Sequence, residues 1–162
     1  MSILVLGLGN TIMSDDGFGV RAVNALSSRY RFRGPVKVLD GGTLGLDLLP
    51  HLEEVDKLLI VDALDMRGEP GQVFRIEGEE VPRAFASKLS VHQMGLQDLL
   101  AVADLQGYLP QQLVVWGVQP ACIEMGTELT ATVAAALPEV MEHLIAELRS
   151  WGVEVLPDQR ES

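Results

Sequence analysis

The chain has 162 residues, enough to bury one sizeable core and too few to expect two, and its 48% hydrophobic content excludes a disordered polypeptide. A formal charge of −11 argues against nucleic acid or an anionic membrane as partner, because both demand clustered Lys and Arg to displace counterions. The single cysteine, Cys122, admits no internal disulfide and no multi-cysteine metal site, so any metal chemistry falls to carboxylates and imidazoles.

In chain order, the apolar run Ile3 to Leu6 reads as a buried strand; it is too short for a bilayer span and has no basic region before it, so it does not read as a secretory signal. The cytoplasm is the expected compartment. Val20, Val23, Leu26 and Tyr30 recur at intervals of three and four, the stripe of a helix packed on a sheet, which should end before Gly34 and Pro35. A second strand, Val36 to Leu39, leads into Asp40 to Gly45, whose paired glycines allow a tight connection to a short helix around Leu46 to Val55, with Pro50 in its first turn. Leu58 to Val61 is continuously apolar and ends in Asp62, the pattern of a central strand buried on both faces. Gln72 to Ile76 is more polar and belongs nearer a sheet edge.

Further on, Ser90 and Gln93 have the S-x-x-Q form of a capping box ahead of Leu96, Leu99, Leu100 and Ala103, with Gly107 as the stop, which makes His92 a first-turn residue. Leu113 to Val118 is another strand, followed by a loop holding Cys122. One long amphipathic helix is expected from Thr130 to Trp151, ending at Gly152, with a polar tail after Pro157. Strands alternating with helices define an α/β domain over residues 1–157, with 158–162 as the tail.

The stretch GLGNTIMSDDGFG, Gly7 to Gly19, opens like the glycine turn of a dinucleotide-binding protein, and Asp40 sits where an acidic ribose ligand would be. The third glycine of that fingerprint is replaced by Ile12, however, and Asp15 and Asp16 stand at the helix end where a pyrophosphate would have to bind. A dinucleotide-binding Rossmann-like protein is therefore the alternative reading, and no nucleotide is expected.

In open α/β sheets ligands bind beyond the carboxyl ends of the strands. Asp15 and Asp16, Asp40, Asp62 and the helix start at His92 all converge there, and an imidazole at a helix N-terminus is biased toward the neutral, metal-ligating form. Two carboxylates and one imidazole suit a divalent first-row metal. The spacing alone does not choose between Asp15 and Asp16, either of which can instead cap the helix. His51 and His143 read as solvated, and Cys122 as structural or incidental, although with His92 it would make a thiol-hydrolase pair. No H-E-x-x-H or G-x-S-x-G occurs.

Taken together, GLGNTIMSDDGFGVRAV, DGGTLG, LLIVDAL and SVHQMGL resemble, in the same order and over nearly the whole chain, the nickel-iron hydrogenase maturation endopeptidases. The resemblance implies a three-layer α/β/α sandwich on a twisted, mainly parallel sheet. It further implies a metal-dependent, aspartyl-peptidase-like endopeptidase that trims the C-terminal extension from the hydrogenase large-subunit precursor. Asp16, Asp62 and His92 carry over as the catalytic and metal-binding residues, reading a nickel ion supplied by the precursor. Asp40, Gly41, Gly42 and Thr43 carry over as substrate-positioning residues. A monomer without nucleic-acid or membrane partners is expected.

Overall fold

The computed structural model describes residues 2–42, 48–81, 84, 96–107 and 109–158. In chain order the elements are β1 (Ile3–Leu8), a 3-10 turn (Ser14–Gly17), α1 (Phe18–Arg29), β2 (Tyr30–Arg33), β3 (Val36–Gly42), α2 (Leu49–Leu52), β4 (Lys57–Ala63), β5 (Val73–Glu77), α3 (Leu96–Leu105), β6 (Gln112–Val118), α4 (Ala131–Ala134), α5 (Leu137–Ser150) and β7 (Glu154–Pro157). The five-stranded sheet has the order β3-β1-β4-β6-β5. Its pairs are parallel except for the last, where β5 runs antiparallel to β6. The continuously apolar run is indeed the middle strand, β4, because only a strand covered on both faces must be apolar at every position.

Side chains alternate across the sheet and so divide the core into two layers. Ile3, Val5, Leu59, Val61 and Val114 pack with Phe18, Val23 and Leu26 of α1 and Val140, Leu144 and Leu148 of α5. Leu4, Leu6, Leu58, Ile60 and Val115 face the opposite way, against Leu52 of α2 and Leu100 and Ala103 of α3. Helices on both faces make this the expected mainly parallel α/β/α arrangement. No helix among the described residues is long and apolar enough to cross a membrane.

Three local features differ from the sequence reading. The helical stripe ends at Arg29, not beyond Tyr30. Tyr30 opens β2, which pairs antiparallel with β7 in a separate two-stranded sheet, and both strands were unforeseen. The long helix from Thr130 is two helices. Pro138, in the first turn of α5, has no N–H to continue the ladder from α4 and starts a new helix instead. His143, expected on a solvated face, is half-buried: its ring stacks on Trp116 with centroids 4.1 Å apart and planes 5° from parallel, and its Nε2 lies 3.3 Å from Glu139. The same Trp116 donates its indole N–H to the buried Glu147, which also accepts from Arg75 of β5. The proposed capping box at Ser90 and the tail beyond residue 158 lie outside the described residues, while Gly107, with φ of 80°, closes α3 as expected.

Candidate functional site

The parallel register brings the acidic strand ends to one edge. Gly7 of β1 pairs with Asp40 on one side and Val61 on the other, so Asp40 and Asp62 flank the exit of β1. From there the chain turns at Gly9 (φ of 126°), whose N–H donates to Gly42 O at 3.0 Å, and enters the 3-10 turn that carries Asp15 and Asp16.

Why glycines stand in this stretch follows from what a Cβ would meet. At Gly9 it would lie 1.8 Å from the Asp16 carbonyl oxygen and 3.4 Å from Asp62 Oδ1, so the missing side chain is what lets the acidic turn press against β1 beside the Asp62 carboxylate. A Cβ at Gly7 would meet the Gly19 carbonyl at 2.4 Å, and one at Gly19 would meet the Val61 carbonyl at 2.1 Å. The first turn of α1 is thereby set directly on β1 and β4. The glycines serve close packing beneath an anionic site.

The two neighbouring aspartates separate completely. Asp15 is fully buried: its Oδ2 accepts the N–H groups of Ala121 (2.9 Å) and Cys122 (3.0 Å), and its Oδ1 accepts the Thr130 N–H (2.7 Å). The Thr130 hydroxyl reaches both oxygens, at 3.2 and 3.0 Å. Burial pushes this carboxyl up, but the four donors outweigh it and hold it below the usual range. Asp15 thus ties the loop after β6 to the acidic turn. Asp16 is half-buried, and its Oδ2 accepts the Asn10 N–H at 2.9 Å. Asp15 is thus committed to the loop after β6, whereas the Asn10 N–H that Asp16 accepts belongs to the segment leading into its own turn.

Asp62 is 1% exposed at the end of the central strand, where its Oδ1 accepts the Ala63 N–H at 2.8 Å. Asp40 is exposed, while Gly41 beside it is buried where a Cβ would touch Leu6 at 2.7 Å, and Gly42 takes a φ of 47° that favours glycine. His92 and Thr43 lie outside the described residues. Among the described residues no three His, Cys, Asp or Glu side chains gather around a point where an ion would fit. Two carboxylate-bearing segments meeting at one glycine nonetheless present hard oxygen donors suited to a divalent cation.

The organising roles of two residues were not read from the sequence. Asp15 looked like an alternative ligand, and nothing in its neighbours marks it as an anchor for a loop more than a hundred positions away. Gln119, 7% exposed, accepts the N–H groups of Met66 (2.8 Å) and Gly68 (3.0 Å) and donates to Asp65 (3.1 Å), holding the loop after β4 against the end of β6. Cys122 is half-buried, and its main chain serves Asp15 twice: the Cys122 N–H donates to the carboxylate and the Asp15 N–H donates to the Cys122 carbonyl.

An α/β/α sheet with an acidic turn and strand-end aspartates at its carboxyl edge matches a known class, and the family model described as hydrogenase maturation protease matches residues 20–147. The chain belongs to the hydrogenase maturation protease family. Among its relatives, the hydrogenase 2 maturation protease of Escherichia coli is 42% identical over 158 residues, covering 97% of this chain and 96% of the relative. The hydrogenase expression/formation protein HupD of Rhizobium leguminosarum is 45% identical over 155 residues, 94% of this chain and 77% of its own. The solved structure of the hydrogenase maturating endopeptidase HybD from E. coli superimposes with a TM-score of 0.93 over all of both chains at 41% identity. A [NiFe] hydrogenase maturation protease, HybD from Thermococcus kodakarensis, matches with a TM-score of 0.69 at 28% identity, covering 91% of this chain and 97% of that one.

Proposed function

We propose that the protein is the endopeptidase that removes the C-terminal extension from the nickel-loaded precursor of a nickel-iron hydrogenase large subunit. In this reading Asp16, Asp62 and His92 recognise the metal that the substrate brings, and Asp40 to Thr43 position the substrate tail. The acting form is a cytoplasmic monomer. The observation that supports it most directly, beyond family membership, is the convergence at Gly9 of the Asp16 turn and the Asp62 carboxylate.

The nickel is part of the substrate. Bound between Asp16, Asp62 and His92 it would supply positive charge for recognition, and Lewis acidity if it also takes part in the cleavage. This chain contributes the rest. Asp62, at the end of the central buried strand, would offer one ligand. Asp16, steadied by the Asn10 N–H, supplies a second from a turn whose partner segment is clamped through Asp15. His92 would complete the set as a neutral imidazole. Selectivity follows from the electrostatics: the ion adds an attraction to the two carboxylates that a nickel-free precursor lacks, so only the loaded form docks tightly.

The test mixes purified protein with loaded and nickel-free precursor and follows release of the C-terminal peptide by mass spectrometry. Wild type should cut only the loaded form and ignore unrelated peptides. Asp62→Asn and His92→Ala should lower cleavage by about 100-fold or more while keeping the fold. Undiminished cleavage of nickel-free precursor, or normal cleavage by His92→Ala, would remove metal recognition from the mechanism.

A further inference from the structure

Three of the large hydrophobic side chains that stand in water among the described residues belong to one feature: Ile12, Ile123 and Met125, at 54%, 58% and 84% exposure. Segments 12–15 and 122–126 run side by side. Met13 and Gly126 form a parallel bridge, the Gly126 N–H donates to Ile12 O at 3.0 Å, and the Ser14 N–H donates to Gly126 O at 2.9 Å. The Ser14 hydroxyl donates to Glu124 O at 2.6 Å, and Asp15 clamps Ala121 and Cys122 from beneath. The main chain of this ribbon is therefore fixed while its apolar side chains remain in water, where a partner could bury them with a gain in free energy.

We propose that this ribbon is the docking surface for the hydrogenase large-subunit precursor, receiving an apolar segment of the substrate flanked by basic residues. The inference rests on the function proposed above and extends it from the site to the surface beside it. Three observations select this occupant. The ribbon runs without a break into the turn that carries Asp16, so a chain seated on it is delivered to the sheet edge. Its own hydrogen bonds already hold it in shape, which lowers the ordering cost of binding. Exposed Glu124 lies between Ile123 and Met125, and Glu128 follows, on a chain of net charge −11, so a basic flank is the complementary one. A second copy of this chain is disfavoured, because three side chains fall far short of the roughly 20 residues per side of a stable dimer, whereas a precursor is also gripped through its metal.

The experiment measures steady-state cleavage of nickel-loaded precursor by the wild type, by an Ile123→Ser/Met125→Ser double variant, by Glu124→Lys, and by Leu105→Ser. Leu105, 88% exposed at the end of α3, is the control. We expect the double variant to raise KM about tenfold, two losses of about 0.7 kcal/mol each, with kcat unchanged. Glu124→Lys should raise KM in low salt and lose that effect in high salt, and Leu105→Ser should match wild type. Since the Ile123 and Met125 side chains lie in water, the double variant should melt at the wild-type temperature; should it not, Glu124→Lys decides alone. Unchanged KM in both ribbon variants beside a wild type that cleaves overturns the docking surface and leaves the proposed function standing. A wild-type dimer in light scattering that the double variant abolishes also overturns it, in favour of a second copy. A wild type that leaves loaded precursor uncut removes the proposed function and the docking surface together.

Discussion

Asp15 and Asp16 have the same side chain and adjacent positions, and the fold gives them unrelated surroundings. Because the four donors around Asp15 outweigh its burial, its carboxyl titrates lower in the folded protein than in the unfolded chain. A group shifted in that direction stabilises the fold above its unfolded pKa of about 3.9, and the contribution is lost as pH falls through the folded value. Asp15→Asn, which turns an amide N–H₂ toward N–H donors, should therefore lower the unfolding free energy by about 2 kcal/mol at neutral pH. In urea titrations the gap to wild type should narrow below about pH 4; a gap independent of pH would mean that the carboxylate's charge plays no part. The distinction between the two aspartates was not available from the sequence, since both precede the same helix and the deciding partners, Ala121, Cys122 and Thr130, lie over a hundred residues on. Asp62 and Asp40 were readable, because each closes an apolar strand and strand ends of a parallel sheet share an edge.

Among the elements, the clasp of β2 and β7 shows how a short period-2 pattern is overlooked beside a strong helical stripe. Tyr30 extends the spacing of Leu26, yet Tyr30 and Phe32 turn inward while Arg31 and Arg33 turn outward, which is strand alternation over only four residues. The same holds for Val153 and Val155 around Glu154. The clasp joins the end of α1 to the end of the described chain, with the Asp158 N–H donating to Arg29 O at 2.8 Å. Its energy resides in the buried valines rather than in the Arg33–Glu154 pair, whose 3.8 Å contact is largely in water and contributes under about 1 kcal/mol. Ending the chain at Gly152 should cost roughly 3 to 6 kcal/mol from the loss of Val153 and Val155, read as a lower denaturation midpoint, whereas Glu154→Ala should leave that midpoint nearly unchanged. The split between α4 and α5 was in plain view as Pro138, but the apolar spacing continues across it and concealed the break.

For the molecule as a whole, the α/β class followed from apolar runs alternating with helical stripes, while the three layers and the mainly parallel sheet came from the family resemblance. What those patterns do not encode is which loops cross-brace which, and the ribbon of segments 12–15 and 122–126 belongs to that class. The same architecture could have served a dinucleotide. Here Asp15 and Asp16 occupy the acidic turn ahead of α1, and the Asn10 N–H that a phosphate would need donates to Asp16. Calorimetric titration with NAD should accordingly show no saturable heat; micromolar affinity would reinstate the Rossmann-like alternative.

The close approaches at Gly7, Gly9 and Gly19 also bear on how this sequence can drift. At each of them an added methyl group would strike a carbonyl oxygen: Gly19 O, Asp16 O and Val61 O, at 2.4, 1.8 and 2.1 Å. A clash with a side chain can be relieved by a later substitution that trims the neighbour. A clash with main chain cannot, because every amino acid carries the same carbonyl. Second-site suppressors of Gly9→Ala are thus unavailable among single replacements at the contacting positions, and lineages that retain the acidic turn are bound to retain the glycines beneath it.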